Sequence, residues 1–154
     1  MLPIRLWHYK LVEAGLLPQS QLVGQWRELN SIFRNQSKHI LINYVYEYPK
    51  NDLYTYSLMV IKELTKRGYH ITKFDNFYEY FGLGFGNGNT LELVDVPFKN
   101  HHDLEYLEIC CYNLKEKQMR GQEDFTNEMF LKINDFVLSE ILGGVDIYGK
   151  ICEN

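Results

Sequence analysis

A chain of 154 residues with 45% hydrophobic and 15% aromatic side chains is too apolar for a disordered segment and long enough to bury one core. Its net charge of -4 excludes a uniformly basic nucleic-acid binder. The halves differ, however: residues 1–73 carry ten Lys or Arg against five Asp or Glu, a net +5, and residues 74–154 carry six against fifteen, a net -9, so a phosphate-facing surface belongs on the first half. No run approaches the roughly 18 apolar residues of a membrane span, and the start lacks a leader pattern, which predicts a soluble cytoplasmic protein. Cys110, Cys111 and Cys152 make neither a paired framework nor a CxxC knuckle and are expected to be buried or idle thiols.

The opening IRLWHYKLV is apolar and basic without a clear period, and reads as an extended or irregular arm. From Pro18 the pattern turns helical: Leu22, Trp26, Leu29 and Ile32 or Phe33 recur at helix spacing, giving a helix over 18–35 with Arg27, Glu28, Ser31 and Arg34 on the adjoining face. HILINYVYEY, residues 39–48, is rich in β-branched and aromatic side chains, and its spacing leaves strand and buried helical turn both open. Asp52 is expected to cap a helix over 53–67, with Leu53, Tyr56, Met59, Val60 and Leu64 inside, Lys66 and Arg67 near its negative end, and Gly68 stopping it.

Residues 74–100 are the least regular. The glycines of FGLGFGNGN lack the preceding strand, following helix and GK[ST] of a phosphate loop, so a flexible surface loop is expected. Asp103 then caps a third helix with Leu104, Leu107, Cys111 and Leu114 inside. A fourth runs from about Glu123 to Leu142 with Phe125, Met129, Ile133 and Phe136 or Val137 inside. The sum predicts a mainly α fold, a single compact helical domain over 1–154 of about four helices with irregular connecting segments.

Several pieces occur in an order that carries a resemblance: IRLWH, LVGQWREL at 22–29, the pair Lys38-His39, LTKRGYHI at 64–71, and His102 with NLKEK at 113–117. Together they resemble the pyrimidine-dimer DNA glycosylase family, the bacteriophage endonuclease V type and its short bacterial relatives. The resemblance spans about residues 4–117 and leaves an acidic helical C-terminal extension, 118–154.

What the resemblance implies is a helical DNA repair enzyme, free of cofactor, that removes a damaged pyrimidine and then nicks the abasic site. The family's nucleophile is the N-terminal α-amine, which forms an imine with sugar C1′. Such an amine, with a pKa of about 7.7–8.0, is partly neutral at pH 7 where a lysine is not. Leu2 is too large for Met1 to be excised, so the amine is assigned to Met1, with MLPI as a short extension. Glu28 matches the family's catalytic carboxylate and Arg27 the phosphate-binding arginine beside it.

Arg5 matches an arginine near the family's N-terminus, and Lys38 and His39 match a basic pair near the DNA face. Ser31 stands where the family carries a further arginine, with Arg34 one turn later as its substitute; Gln21 stands where the phage enzyme has histidine. Lys66 and Arg67 serve a helix end and could add a phosphate contact. His8 could line the same site or be a packing residue, and Tyr44, Tyr46, Tyr54 and Tyr56 could stack on bases or fill the core. His101, His102 and Asp103 are adjacent rather than convergent, so no metal is expected. The alternative to catalysis is a non-catalytic member of the same fold that binds nucleic acid, or a protein partner through the acidic half.

Overall fold

The structure is a computed structural model that describes residues 4–83 and 91–143. Met1 and most of the glycine-rich run therefore lie outside the described residues. The architecture is mainly α, as expected, with six helices rather than about four and no strand among the described residues. The two additional helices are short.

The opening segment is not wholly an irregular arm. His8 caps α1 (Tyr9–Glu13), its Nδ1 accepting from the Lys10 amide at 3.1 Å. Five residues are too few to display a helical period, which is why the segment read as an arm. Gly15 then turns the chain at φ +69°, a left-handed conformation that favours glycine. A Cβ there would come within 2.9 Å of Glu63 Oε1.

Helix α2 (Gln19–Asn35) matches the expected span, with Pro18 at its N-cap and the left-handed Gln36 ending it. Its stripe of Leu22, Trp26, Leu29, Ile32 and Phe33 is buried. Each such side chain contributes about 1.5–3 kcal/mol relative to exposure. The segment left open between strand and helix contains a 3₁₀ turn, Asn43–Glu47, of which Val45 is buried.

Helix α3 (Lys50–Lys66) starts before Asp52, behind Pro49. Asp52 is accordingly not its cap: it sits in the first turn, 7% exposed, and its Oδ2 accepts from the Phe98 amide at 2.8 Å. The expected irregular region opens instead with α4 (Phe74–Phe81), set between the left-handed Lys73 and Gly82. Phe77 and Phe81 are buried, packing edge-on to Phe33. Aromatic pairing fixes this helix where sequence period could not.

Asp103 caps α5 (Leu104–Met119) as expected, its Oδ1 accepting from the Tyr106 amide at 2.8 Å. Leu107, Cys110, Cys111 and Leu114 face inward, whereas Leu104, at the helix's first position, is 46% exposed and not a core residue. Both cysteines are buried free thiols, and burial pushes the Cys110 thiol up to about 12. Helix α6 (Asn127–Ile141) begins later than Glu123 because Thr126 supplies the cap, accepting from the Met129 amide at 3.2 Å.

In the assembly α1 and α2 pack on α3, α4 packs on α2, and α5 pairs with α6. Two devices position the site. Arg67 holds the α1–α2 turn to α3, donating to Glu63 Oε1 at 2.9 Å, Gln19 Oε1 at 3.1 Å and the Gly15 carbonyl at 3.2 Å. The opening segment is joined to the start of α5: His8 Nε2 donates to the Asp103 carbonyl at 3.0 Å, His102 Nδ1 accepts from the Tyr9 amide at 3.1 Å, and the Tyr106 hydroxyl donates to the Leu6 carbonyl. Both histidines are buried and neutral. Desolvation is the principal cause, holding His8 down to about 4 and His102 well below its usual value.

Candidate functional site

The residues before α1 run across one flank of α2, and α5 faces them from the other side. Between them lies a cleft of about 410 Å³. Ile4 and Arg5 line its first wall with Gln21, Gln25 and Glu28 of α2, while Asn113, Glu116, Lys117 and Arg120 of α5 form the second.

At about 100° per residue, Gln21, Gln25 and Glu28 fall on one flank of α2, next to the buried stripe. Trp26 turns into the core, its Nε1 donating to the Thr72 carbonyl at 3.1 Å. Glu28 is thus held at the edge of the core rather than on an open face, with its side chain 17% exposed. Arg5 reaches it from the opening segment, donating from Nε at 3.0 Å and from Nη2 at 2.7 Å. Both bonds fall on Oε1, and among the described residues none donates to Oε2.

Gln25 fixes the segment that carries Arg5. Its Oε1 accepts from the Trp7 amide at 2.8 Å and its Nε2 donates to the Arg5 carbonyl at 3.1 Å. The buried Tyr56 hydroxyl lies 2.7 Å from the Trp7 carbonyl and 2.8 Å from Gln25 Oε1, closing the network. Backbone polar groups that would otherwise be stranded are satisfied, and Arg5 is aimed by packing rather than by charge alone.

The second wall is tied to the first beyond the start of α5. Gln21 and Gln122 exchange amide bonds at 3.0 and 2.9 Å. Asp124 Oδ2 accepts from the Ser20 amide at 2.8 Å and hydroxyl at 2.9 Å, bonds that, together with one from Gln122, outweigh burial and hold its carboxyl below the usual range. Arg120 pairs with Glu116 at 2.5 Å. Lys117 makes no ion pair among the described residues and adds positive charge to the wall opposite Glu28.

Of the residues singled out from sequence, Glu28, Arg5 and Gln21 are brought together in the cleft. Arg27 and Arg34 are exposed on the neighbouring face of α2. Ser31 belongs to that face as well, and its hydroxyl meets Ser37 Oγ at 2.9 Å. Lys38 and His39 follow, both exposed, with His39 Nδ1 accepting from the Leu41 amide at 3.1 Å. Tyr46 donates to the Ser37 carbonyl. Burial first, then the charges of Tyr80 and Glu28, raise its hydroxyl.

Other candidates lie elsewhere. His8 is 1% exposed and its two ring nitrogens are taken up by backbone groups. Lys66 and Arg67 do not line the cleft. Tyr44 and Tyr56 are core or near-core residues, and Tyr54 packs on Phe77 and Phe81. His101 meets the Tyr48 hydroxyl at 2.7 Å, while His102 and Asp103 serve the joint and the helix cap already described. Met1 lies outside the described residues.

Gln25, Asn113, Lys117 and Arg120 were not among the sequence candidates. The NLKEK piece was the available signal for two of them, since it contains Asn113 and Lys117, but its place in the site depends on a fold-level approach of α5 to α2.

A carboxylate held by an arginine in a polar cleft, beside an exposed row of cations, is a site suited to acting on a phosphodiester polyanion. Residues 4–77, just under half of the chain, match the family model described as pyrimidine dimer DNA glycosylase. The match ends before the expected 117, so the α5 wall lies beyond it. No curated protein and no solved structure matches the chain.

Proposed function

We propose that the chain is a DNA repair glycosylase with abasic-site lyase activity, acting on damaged pyrimidines. The observation that carries this reading is the placement of Glu28 and Arg5 in one cleft, with Ile4 on the same wall. The nucleophile is the terminal amine, assigned to Met1 three residues before Ile4. It attacks C1′ and the base departs with the bond electrons; ring opening then leaves an iminium between the amine nitrogen and C1′. Glu28, through the oxygen that Arg5 leaves free, takes a proton from C2′, and the electrons of that C–H bond expel the 3′ phosphate by β-elimination.

Arg5 orients Glu28 before DNA arrives, through its two hydrogen bonds to Oε1. Arg27, Arg34 and Lys38 take backbone phosphates outside the cleft, where permanent charge and exposure suit them. Lys117 faces the cleft from α5 and takes a phosphate of the extruded nucleotide.

The test uses untagged protein with duplex DNA carrying one abasic site, and borohydride to reduce any imine. A covalent protein–DNA band that disappears when the terminal amine is blocked is the expected result. Glu28→Gln should keep the fold, since glutamine still accepts from Arg5, while slowing strand nicking by about a hundredfold or more. Binding without band or nicking, from folded protein, would overturn the enzyme and leave a non-catalytic DNA-binding member of the fold.

A further inference from the structure

Between α2 and the 3₁₀ turn the chain makes a projection that the reaction above does not use. Ile40 is 84% exposed, more than any other large apolar side chain among the described residues. It follows two exposed basic side chains, Lys38 and His39. The backbone beneath it is fixed from both sides: the His39 carbonyl accepts from the amides of Ile42 and Asn43, both at 2.8 Å, and the His39 amide donates to Asn43 Oδ1 at 2.8 Å. Ile42 is fully buried and anchors the turn in the core.

The projection stands on the Glu28 side of α2. Ser37 is drawn back onto Ser31, its Oγ donating to the Ser31 carbonyl at 3.1 Å. Ser31 lies three residues after Glu28 and four after Arg27, spacings that place all three on neighbouring positions of one helix surface. An aliphatic side chain held in water on a turn whose backbone is already fixed, next to exposed basic side chains, has little backbone entropy left to lose when it is buried.

We propose that Ile40 is a wedge that enters the base stack of duplex DNA beside the extruded nucleotide, filling the space the base vacates. The proposal rests on the DNA-acting reading of the same site. Extruding a base costs stacking and pairing energy. Apolar side chains inserted at a base step recover part of that cost and kink the duplex. Lys38 and Arg34 hold the flanking backbone while the aliphatic group replaces the lost stacking surface.

The experiment measures binding of the full chain to duplex DNA holding a stable tetrahydrofuran abasic analogue with 2-aminopurine next to it, whose fluorescence rises on unstacking. Wild-type protein and Ile40→Leu should raise the fluorescence. Ile40→Ala should fail to do so and bind this duplex roughly tenfold more weakly, the weight of one lost aliphatic contact. Substitution at so exposed a position leaves the fold intact. Wild-type and Ile40→Ala protein that unstack the duplex equally, or no rise with the wild type, would overturn the wedge. Borohydride trapping on single-stranded abasic DNA, which has no stack to open, should be equal for the two proteins. If neither is trapped, the lyase reading fails while the fluorescence still decides the wedge.

Discussion

Gln25 is 1% exposed, and its amide meets the Trp7 amide, the Arg5 carbonyl and the Tyr56 hydroxyl. Nothing in the sequence distinguishes it from a surface polar residue, because its partners are distant in the chain and two of them are backbone groups. Glu28 was legible through the WREL piece and its family resemblance; the residue that aims its partner was not. Gln25→Leu should destabilise the protein by about 2–3 kcal/mol in urea unfolding, since the buried Trp7 amide loses its acceptor and the Arg5 carbonyl its donor. Nicking of abasic duplex should fall with it, at a temperature where the variant is still folded, because Arg5 is no longer held. Unchanged stability would show that the network contributes little.

The long helices were legible because Leu22, Trp26, Leu29 and Phe33, or Leu107, Cys111 and Leu114, sustain a period over several turns. Helices α1 and α4 were not, being fixed by a histidine cap and by aromatic packing on Phe33 rather than by a repeating stripe. Lys66 and Arg67 were legible as a helix-end signal, yet the other partners of Arg67 could not be read from spacing. The α1–α2 turn gives a test at this scale. Gly15→Ala meets both a positive φ and a contact with Glu63 at 2.9 Å, and should destabilise by at least about 1 kcal/mol.

Charge on the exposed face of α2 gives another. Arg27→Ala and Arg34→Ala should each lower the salt dependence of DNA binding by about one released counterion. Lys66→Ala, away from the cleft, should leave it unchanged. Equal slopes for all three variants would remove the α2 face from the DNA interface.

Over the whole molecule, the buried joint between the opening segment and α5 couples stability to pH. His8 and His102 are neutral in the folded protein, with His8 lowered from 6.5 to about 4 by burial. Between these two pH values the unfolded chain binds more protons than the folded one, so stability rises with pH across this window and falls on acidification through it. Lowering the pH from 7 to 5 should cost roughly 1–2 kcal/mol for His8 alone, with His102 adding in the same direction. Unfolding midpoints in urea at the two pH values check this. A flat profile would mean that protons reach both rings without disturbing the joint.

The charge asymmetry of the chain also takes a spatial form. Residues 74–154 are acidic in total, but Lys117 and Arg120 of that half face the basic half across the cleft.

The bonds that close the cleft join residues about a hundred positions apart: Leu6 with Tyr106, Ser20 with Asp124, Gln21 with Gln122. Such contacts come late when a chain folds, since local helices form before long loops are closed. During synthesis α1 to α4 can pair as they emerge, whereas the second wall arrives only after residue 124, several seconds later at roughly 5–20 residues per second. Substitutions at these long-range bonds should therefore speed unfolding more than they slow folding. A nascent chain holds Glu28 and Arg5 well before it holds an enclosed cleft, which is complete only once residue 124 has emerged.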